Sequence, residues 1–280
     1  MCACSQDTDY EGEFEKIQGK IMDFSSRTYL NGRDVIWKAD DAISVFAKNG
    51  YHYRYELTEG ANTTNATFQY QSAIQRGGTK PNDNYAIYPF SANHKLNDGH
   101  TIDVDLTFWK EQTYTANSFE DDKSFMTGKS GNLSFPFYNS HSLARVKLSS
   151  VIPDVYRITS VSFSSETTIL NGKATIDMTV ERPILVLKEP ESPDDASYKT
   201  NTLVCNDGVV LTDAPIDFYI LMPVSVHDNL KLTVTGTNLL DGSPLDWSKS
   251  YSNITFKRSL YEEFNCMLPV IFSGNIESYN

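Results

Sequence analysis

The stretch TIDVDLTF places Ile102, Val104, Leu106 and Phe108 on one face and Thr101, Asp103, Asp105 and Thr107 on the other. Successive side chains of a strand point to opposite faces, so this pattern describes a strand with one face buried and one in water. The same alternation returns in AISVFAK (42 to 48), LARVKLS (143 to 149), KATIDMTV (173 to 180) and NLKLTVTG (229 to 236), all rich in β-branched and aromatic residues. Helical periodicity is hard to find. Six dipeptides, Asn31-Gly32, Asn49-Gly50, Asp98-Gly99, Asn171-Gly172, Asp207-Gly208 and Asp241-Gly242, put residues tolerant of positive φ between these runs. Many short strands with frequent turns point to an all-β protein of antiparallel sandwiches or barrels, and 280 residues favour two domains in series. A boundary is expected near Ser149-Ser150-Val151-Ile152-Pro153, where small residues and a proline separate two strand patterns.

A formal charge of −12 excludes the basic stripe that phosphate binding needs, so no nucleic-acid partner is expected. The longest apolar run, Phe218 to Val224, is far short of the roughly 20 residues that cross a bilayer as a helix. No membrane-spanning segment is expected.

The catalytic search is empty, and neither an enzyme nor a cofactor is expected. His52, His94, His100, His141 and His227 show no metal-binding spacing, and Cys2 and Cys4 sit too close for a zinc knuckle. The acidic pairs Asp40-Asp41, Asp103 with Asp105, and Glu120-Asp121-Asp122 fall in turn-like stretches or on a wet strand face. No phosphate-binding loop, nucleophile elbow or dinucleotide fingerprint occurs. Two sets of residues stay open. Cys205 and Cys266 either form a disulfide in an exported protein or stand as buried thiols. Tyr51, Tyr53 and Tyr55, alternating in YHYRYEL, are either a glycan-binding aromatic platform or a sheet face packed on a core.

The segment SSRTYLNGRDVIWKADDAISVFAKNG (25 to 50) carries Arg27, Thr28, Trp37, Asp41 and the apolar run Ile43 to Phe46. It resembles the N-terminal pattern of the fimbrillin-like family of Bacteroidales surface proteins, the subunits, tips and anchors of type V pili. YAIYPF (85 to 90), LSFPFYNSHSLARVKL (133 to 148) and FYILMPV (218 to 224) are similar to later elements of that family, in the same order over nearly the whole chain.

The resemblance implies two transthyretin-like β-sandwich domains, residues 14–150 and 151–280, behind a lipoprotein tether at 1–13. It implies export to the outer membrane, with Ala3-Cys4 as the lipidation point and the acidic Ser5 to Glu13 as a flexible spacer. The implied role is a fimbrial subunit or a tip or anchor adhesin, with other fimbrial subunits and a surface ligand as partners. A surface lipoprotein module binding glycans through Tyr51, Tyr53 and Tyr55 is the alternative. Assembly by strand exchange would remove the first strand, Phe14 to Phe24, by a cut after Arg27, and refill its groove from CMLPVIFSGNIESYN (266 to 280) of a neighbour. Arg27 is otherwise a solvated loop residue and the first strand a permanent one.

Overall fold

A computed structural model of the chain describes residues 15–22, 36–192 and 195–269. Cys2, Cys4, the acidic segment 1–13, Arg27 and residues 270–280 lie outside the described residues. The first strands are β1 (Lys16–Ile21), β2 (Ala42–Ala47), β3 (Tyr51–Glu59), β4 (Asn65–Gln75), β5 (Asn84–Tyr88), β6 (Lys95–Leu96) and β7 (Thr101–Asp105). There follow β8 (Glu111–Thr113), β9 (Met126–Ser130), β10 (Ser134–Asn139), β11 (Ser142–Ser150), β12 (Tyr156–Ser165), β13 (Lys173–Asp177) and β14 (Leu185–Leu187). The last are β15 (Thr200–Val210), β16 (Ile216–Met222), β17 (Ser225–His227), β18 (Leu230–Asn238), β19 (Pro244–Tyr251), β20 (Ile254–Phe256) and β21 (Tyr261–Leu268). Helix among the described residues is confined to the short 3-10 turns Thr107–Lys110, Asp121–Lys123 and Ala196–Lys199. The chain is therefore nearly all β, as its alternation requires.

The first region closes into a ring in the order β1-β10-β9-β5-β2-β3-β4, with β1 joining β4 to β10. The remaining strands form a three-stranded sheet β16-β11-β21, a five-stranded sheet β19-β18-β12-β15-β8, a four-stranded sheet β14-β13-β7-β6 and the pair β17-β20. Where two sandwiches are expected, the first region is thus a closed barrel, and hydrogen bonding does not follow a division at residue 150. Strand β11 ends there, yet both its neighbours, β16 and β21, come later in the chain. Strands β7 and β8 of the first half pair with β13 and β15 of the second. Local patterning reports which face of a strand is buried, not which distant strand lies beside it.

Three cores follow from this layout. The barrel encloses Ile17, Ile21, Trp37, Tyr55, Phe68 and Phe137 among others. The second region packs Val146, Leu148, Val161, Phe163, Phe218 and Phe264 between its three- and five-stranded sheets. Between them, the outer faces of β2 and β5 contribute Phe46, Tyr85 and Ile87 to a cluster shared with Ile102, Val104, Trp109, Ile176 and Leu221. This explains why β5 is buried along its whole length rather than alternating. Buried amides knit the seam: Gln112 Nε2 donates to the Leu221 carbonyl at 3.2 Å while its Oε1 accepts from Leu221 N at 2.7 Å.

The alternation in TIDVDLTF ends early. Ile102 and Val104 point inward as expected and Leu106 is buried, but the chain then turns through Thr107–Lys110, which takes Phe108 off the strand face. Asp207-Gly208 lies inside β15, where the pairing with β12 slips and Gly208 takes φ +69°. That dipeptide marks an irregularity in a strand rather than a hairpin turn.

Candidate functional site

Strand β1 enters the barrel between β4, antiparallel, and β10, parallel. Its six residues, KIQGKI, alternate exposed and buried, so Ile17, Gly19 and Ile21 face the core and Lys16, Gln18 and Lys20 face water. Ile17 and Ile21 are 2% and 1% exposed. Full burial of such side chains contributes about 1.5–3 kcal/mol each, so this pair supplies much of what holds the strand.

Gly19 is required by space. A Cβ there would stand 2.8 Å from Phe68 Cε2 and 3.0 Å from Phe137 Cε2, so the missing side chain lets the two rings close over the strand. Both rings also pack edge-to-face against Trp37, at 5.0 and 5.1 Å between centroids. The slot therefore specifies a row of large, glycine, large at alternate positions. The strand is held by further backbone bonds beyond its ladder: Ile21 N donates to the Thr64 carbonyl at 2.9 Å and Met22 N to the Phe137 carbonyl at 2.9 Å.

The tyrosine row on β3 points largely inward. Tyr55 is fully buried and Tyr53 is 6% exposed, while Tyr51 is half-buried at the strand's start. With Tyr70 of β4 they form a cluster of edge-to-face contacts 5.7–6.3 Å apart. Burial pushes the Tyr53 and Tyr55 hydroxyls above the ordinary tyrosine range. A sugar platform needs an open ring face, and the rings of Tyr53 and Tyr55 are spent on the core. Of the two readings left open by the sequence, the packed face is the one these rings adopt.

Cys205 and Cys266 are both buried free thiols in the second core. Burial raises both above the ordinary thiol range, Cys205 to about 12, which disfavours the thiolate form.

Sequence reasoning missed the buried histidines. His52 stacks on Phe46 at 4.4 Å, and His94 Nδ1 lies 3.0 Å from Ser44 Oγ. Desolvation lowers His52 to about 4 and His94 to about 3, so both are neutral. Their placement on or beside apolar runs was the available signal. Among the described residues no cluster of three or more metal-ligating side chains occurs.

The chain matches no family model and no curated protein. It is similar to the solved structure of a candidate cell adhesion protein from Bacteroides ovatus. That likeness has 12% identity and a TM-score of 0.56, over 90% of this chain and 91% of that one. A second solved structure, of a candidate cell adhesion protein from Bacteroides uniformis, aligns at 14% identity and TM-score 0.49, over 91% of this chain and 92% of that one. At this identity the first likeness establishes a shared fold.

Proposed function

We propose that this chain is a subunit or fibre-associated adhesin of bacterial surface fimbriae, joined to its neighbours by strand exchange at the β1 position. The observation that carries this reading is a match between two segments of the chain. The slot takes Ile17, Gly19 and Ile21 from KIQGKI, and the sequence beyond β21 contains IFSGNI, with Phe272, Gly274 and Ile276 at the same spacing. A strand of that row offers two apolar anchors and the one residue the Phe68 and Phe137 rings tolerate between them. Because β21 extends to Leu268, Cys266 to Leu268 stay in their own sheet and the donor begins after Pro269. Exchange is chemically reasonable because loss of β1 bares apolar surface and unpaired backbone on β4 and β10, and a replacement restores both.

The fold shared with a candidate adhesion protein fits this role. The finer parts of the reading go with it. Cys4 carries the lipid of an outer-membrane anchor, residues 1–13 are its tether, a cut after Arg27 releases β1, and the barrel and second region are two transthyretin-like units whose strands interleave along the chain. The bound partners are other subunits and a surface ligand. Protein cut with an arginine-specific protease and mixed with a labelled peptide of residues 270–280 is expected to bind it, and to reject the same peptide carrying Gly274→Val. Cut protein that neither binds the peptide nor forms oligomers overturns the proposal.

A further inference from the structure

Among the described residues eleven large apolar side chains are exposed, and five of them gather where the chain leaves the second region: Val151, Ile152, Leu239, Leu240 and Met267. Val151 and Leu240 are 61% and 62% exposed. The gathering is built by the fold. Ser150, the last residue of β11, pairs with Leu268 of β21, so Val151 and Ile152 emerge beside Pro269. Tyr156, which opens β12, donates its hydroxyl to the Pro269 carbonyl at 2.7 Å. Leu239 N donates to the Val155 carbonyl at 2.7 Å, which ties the turn after β18 to the loop after β11. Single exposed apolar residues are ordinary, but a group of them at one end of a domain marks an interaction surface.

We infer that this apolar end docks on the β3–β4 end of the barrel in the next copy of the same chain, an interface separate from the exchanged strand. The inference rests on the strand-exchange reading, and chain length fixes the geometry. Two residues separate Pro269 from Phe272, so the three Cα–Cα steps between them reach at most about 11 Å. With Phe272 in the place of Ile17, the donor's end stands at the Lys16 end of the acceptor's slot. There Lys16 pairs with Gln69, and β4 runs on to Gln75, past the start of β1. The projecting end carries the exposed Ile74, and at its base Tyr70 and Tyr51, each packed on Tyr53, keep one half-buried side against the barrel core and leave the other open. Apolar surface on the donor therefore meets aromatic and apolar surface on the acceptor, and a tether this short leaves the two little freedom to stay apart.

Two measurements on the protease-cut full chain test the interface. In the first, Leu240→Cys combined with Ile74→Cys is treated with a flexible bis-maleimide, each single variant serving as control for the native thiols. A 240-to-74 link between copies is expected in the double variant alone. In the second, Ile152→Asp with Leu240→Asp is expected to slow oligomer growth at least tenfold while leaving the melting temperature and the binding of the free 270–280 peptide unchanged. If peptide binding and growth both proceed at the unaltered rate and no cross-link forms, the interface is overturned and strand exchange stands. If the unaltered cut protein binds no peptide and forms no oligomers, strand exchange itself falls and this interface with it.

Discussion

The barrel and the second region solve the same problem, hiding the edges of a sheet, in different ways. The barrel closes on itself, and its core is built largely from rings, with Trp37 in edge-to-face contact with Phe68, Tyr88 and Phe137. The second region stacks open sheets whose edge strands β16, β21 and β19 stay unclosed, over a core richer in aliphatic side chains. A closed ring has no edges until one strand leaves, and then it has two. Closure here depends on β1, whose core-facing row holds two isoleucines and a glycine. The region that looks better protected is thus the one whose closure rests on a single short strand.

The largest effect that should separate the two regions is acid. His52 and His94 pack with barrel strands or beside them and are held neutral at about 4 and about 3, whereas the second region has one such residue, His227, also at about 4. All three are lowered from the unfolded value of 6.5, so the unfolded chain binds more protons between pH 6.5 and 4. Their stabilisation is fully present above pH 6.5 and is lost as pH falls towards 4. A tenfold difference in proton affinity between the folded and unfolded chain is worth about 1.4 kcal/mol, so the barrel should lose roughly 3–5 kcal/mol between pH 6.5 and 4.5 and the second region about half as much. Hydrogen exchange read strand by strand should show β2 and β3 opening at higher pH than β12 and β18. Simultaneous opening would remove the distinction. His52→Phe should flatten part of the barrel's acid response, since a ring of similar shape keeps the stack on Phe46 without the proton site.

A smaller effect should come from Gly19→Val, aimed at the strand that closes the barrel. The added Cβ meets Phe68 and Phe137 at 2.8 and 3.0 Å, and overpacking of this kind typically costs about 1–3 kcal/mol. If strand exchange operates as proposed, β1 leaves without unravelling β2 to β5, and the loss should appear as faster exchange at the β4 and β10 amides facing β1, with little change in the second region. Uniform loss across both regions would mean that β1 is integral to the fold rather than a removable strand.

How far each region was legible in the sequence follows the same contrast. Alternation in LARVKLS and NLKLTVTG matches β11 and β18, AISVFAK matches β2 in position although both faces of that strand are buried, and KIQGKI lies inside the first strand expected from residues 14–24. The Asn49-Gly50 and Asp241-Gly242 turns fall between paired strands, with glycine at φ +85° and +74°. Hairpin partners such as β2 with β3 are thus readable, because pairing is local. The β8–β15 and β11–β21 pairs are parallel and join residues about a hundred positions apart, and period-two patterning carries no record of such a partner. At the candidate site the strand was readable but the demand for glycine was not. It arises from two rings, Phe68 and Phe137, that meet Gly19 only in space. Once that demand is known, the second large-glycine-large row at Phe272, Gly274 and Ile276 becomes visible in the sequence.

The smallest effect tests how the open sheets are held. Arg145 sits on the central strand β11 and reaches both edge strands: it forks onto Asp217 of β16, with Nε and an NH2 group at 3.1 and 2.6 Å, and touches Glu263 of β21 at 3.3 Å. Its guanidinium also lies over Tyr219 and Tyr261, at 5.8 and 5.5 Å. Hydrogen bonding to Asp217, its largest influence, drives its pKa further above the ordinary arginine value, so it stays charged at any working pH. Arg145→Lys keeps the charge but gives up the fork and the flat stacking surface. The group is about one-fifth exposed, so solvent screening limits the loss to about 1 kcal/mol. The loss should show as a lower denaturant midpoint with an unchanged slope. Its dependence on salt sharpens the comparison. Raising ionic strength should narrow the gap between the arginine and lysine proteins, while the gap opened by Gly19→Val, being steric, should stay constant. If both gaps respond to salt alike, the contrast between a barrel closed by shape and sheets pinned by charge does not hold.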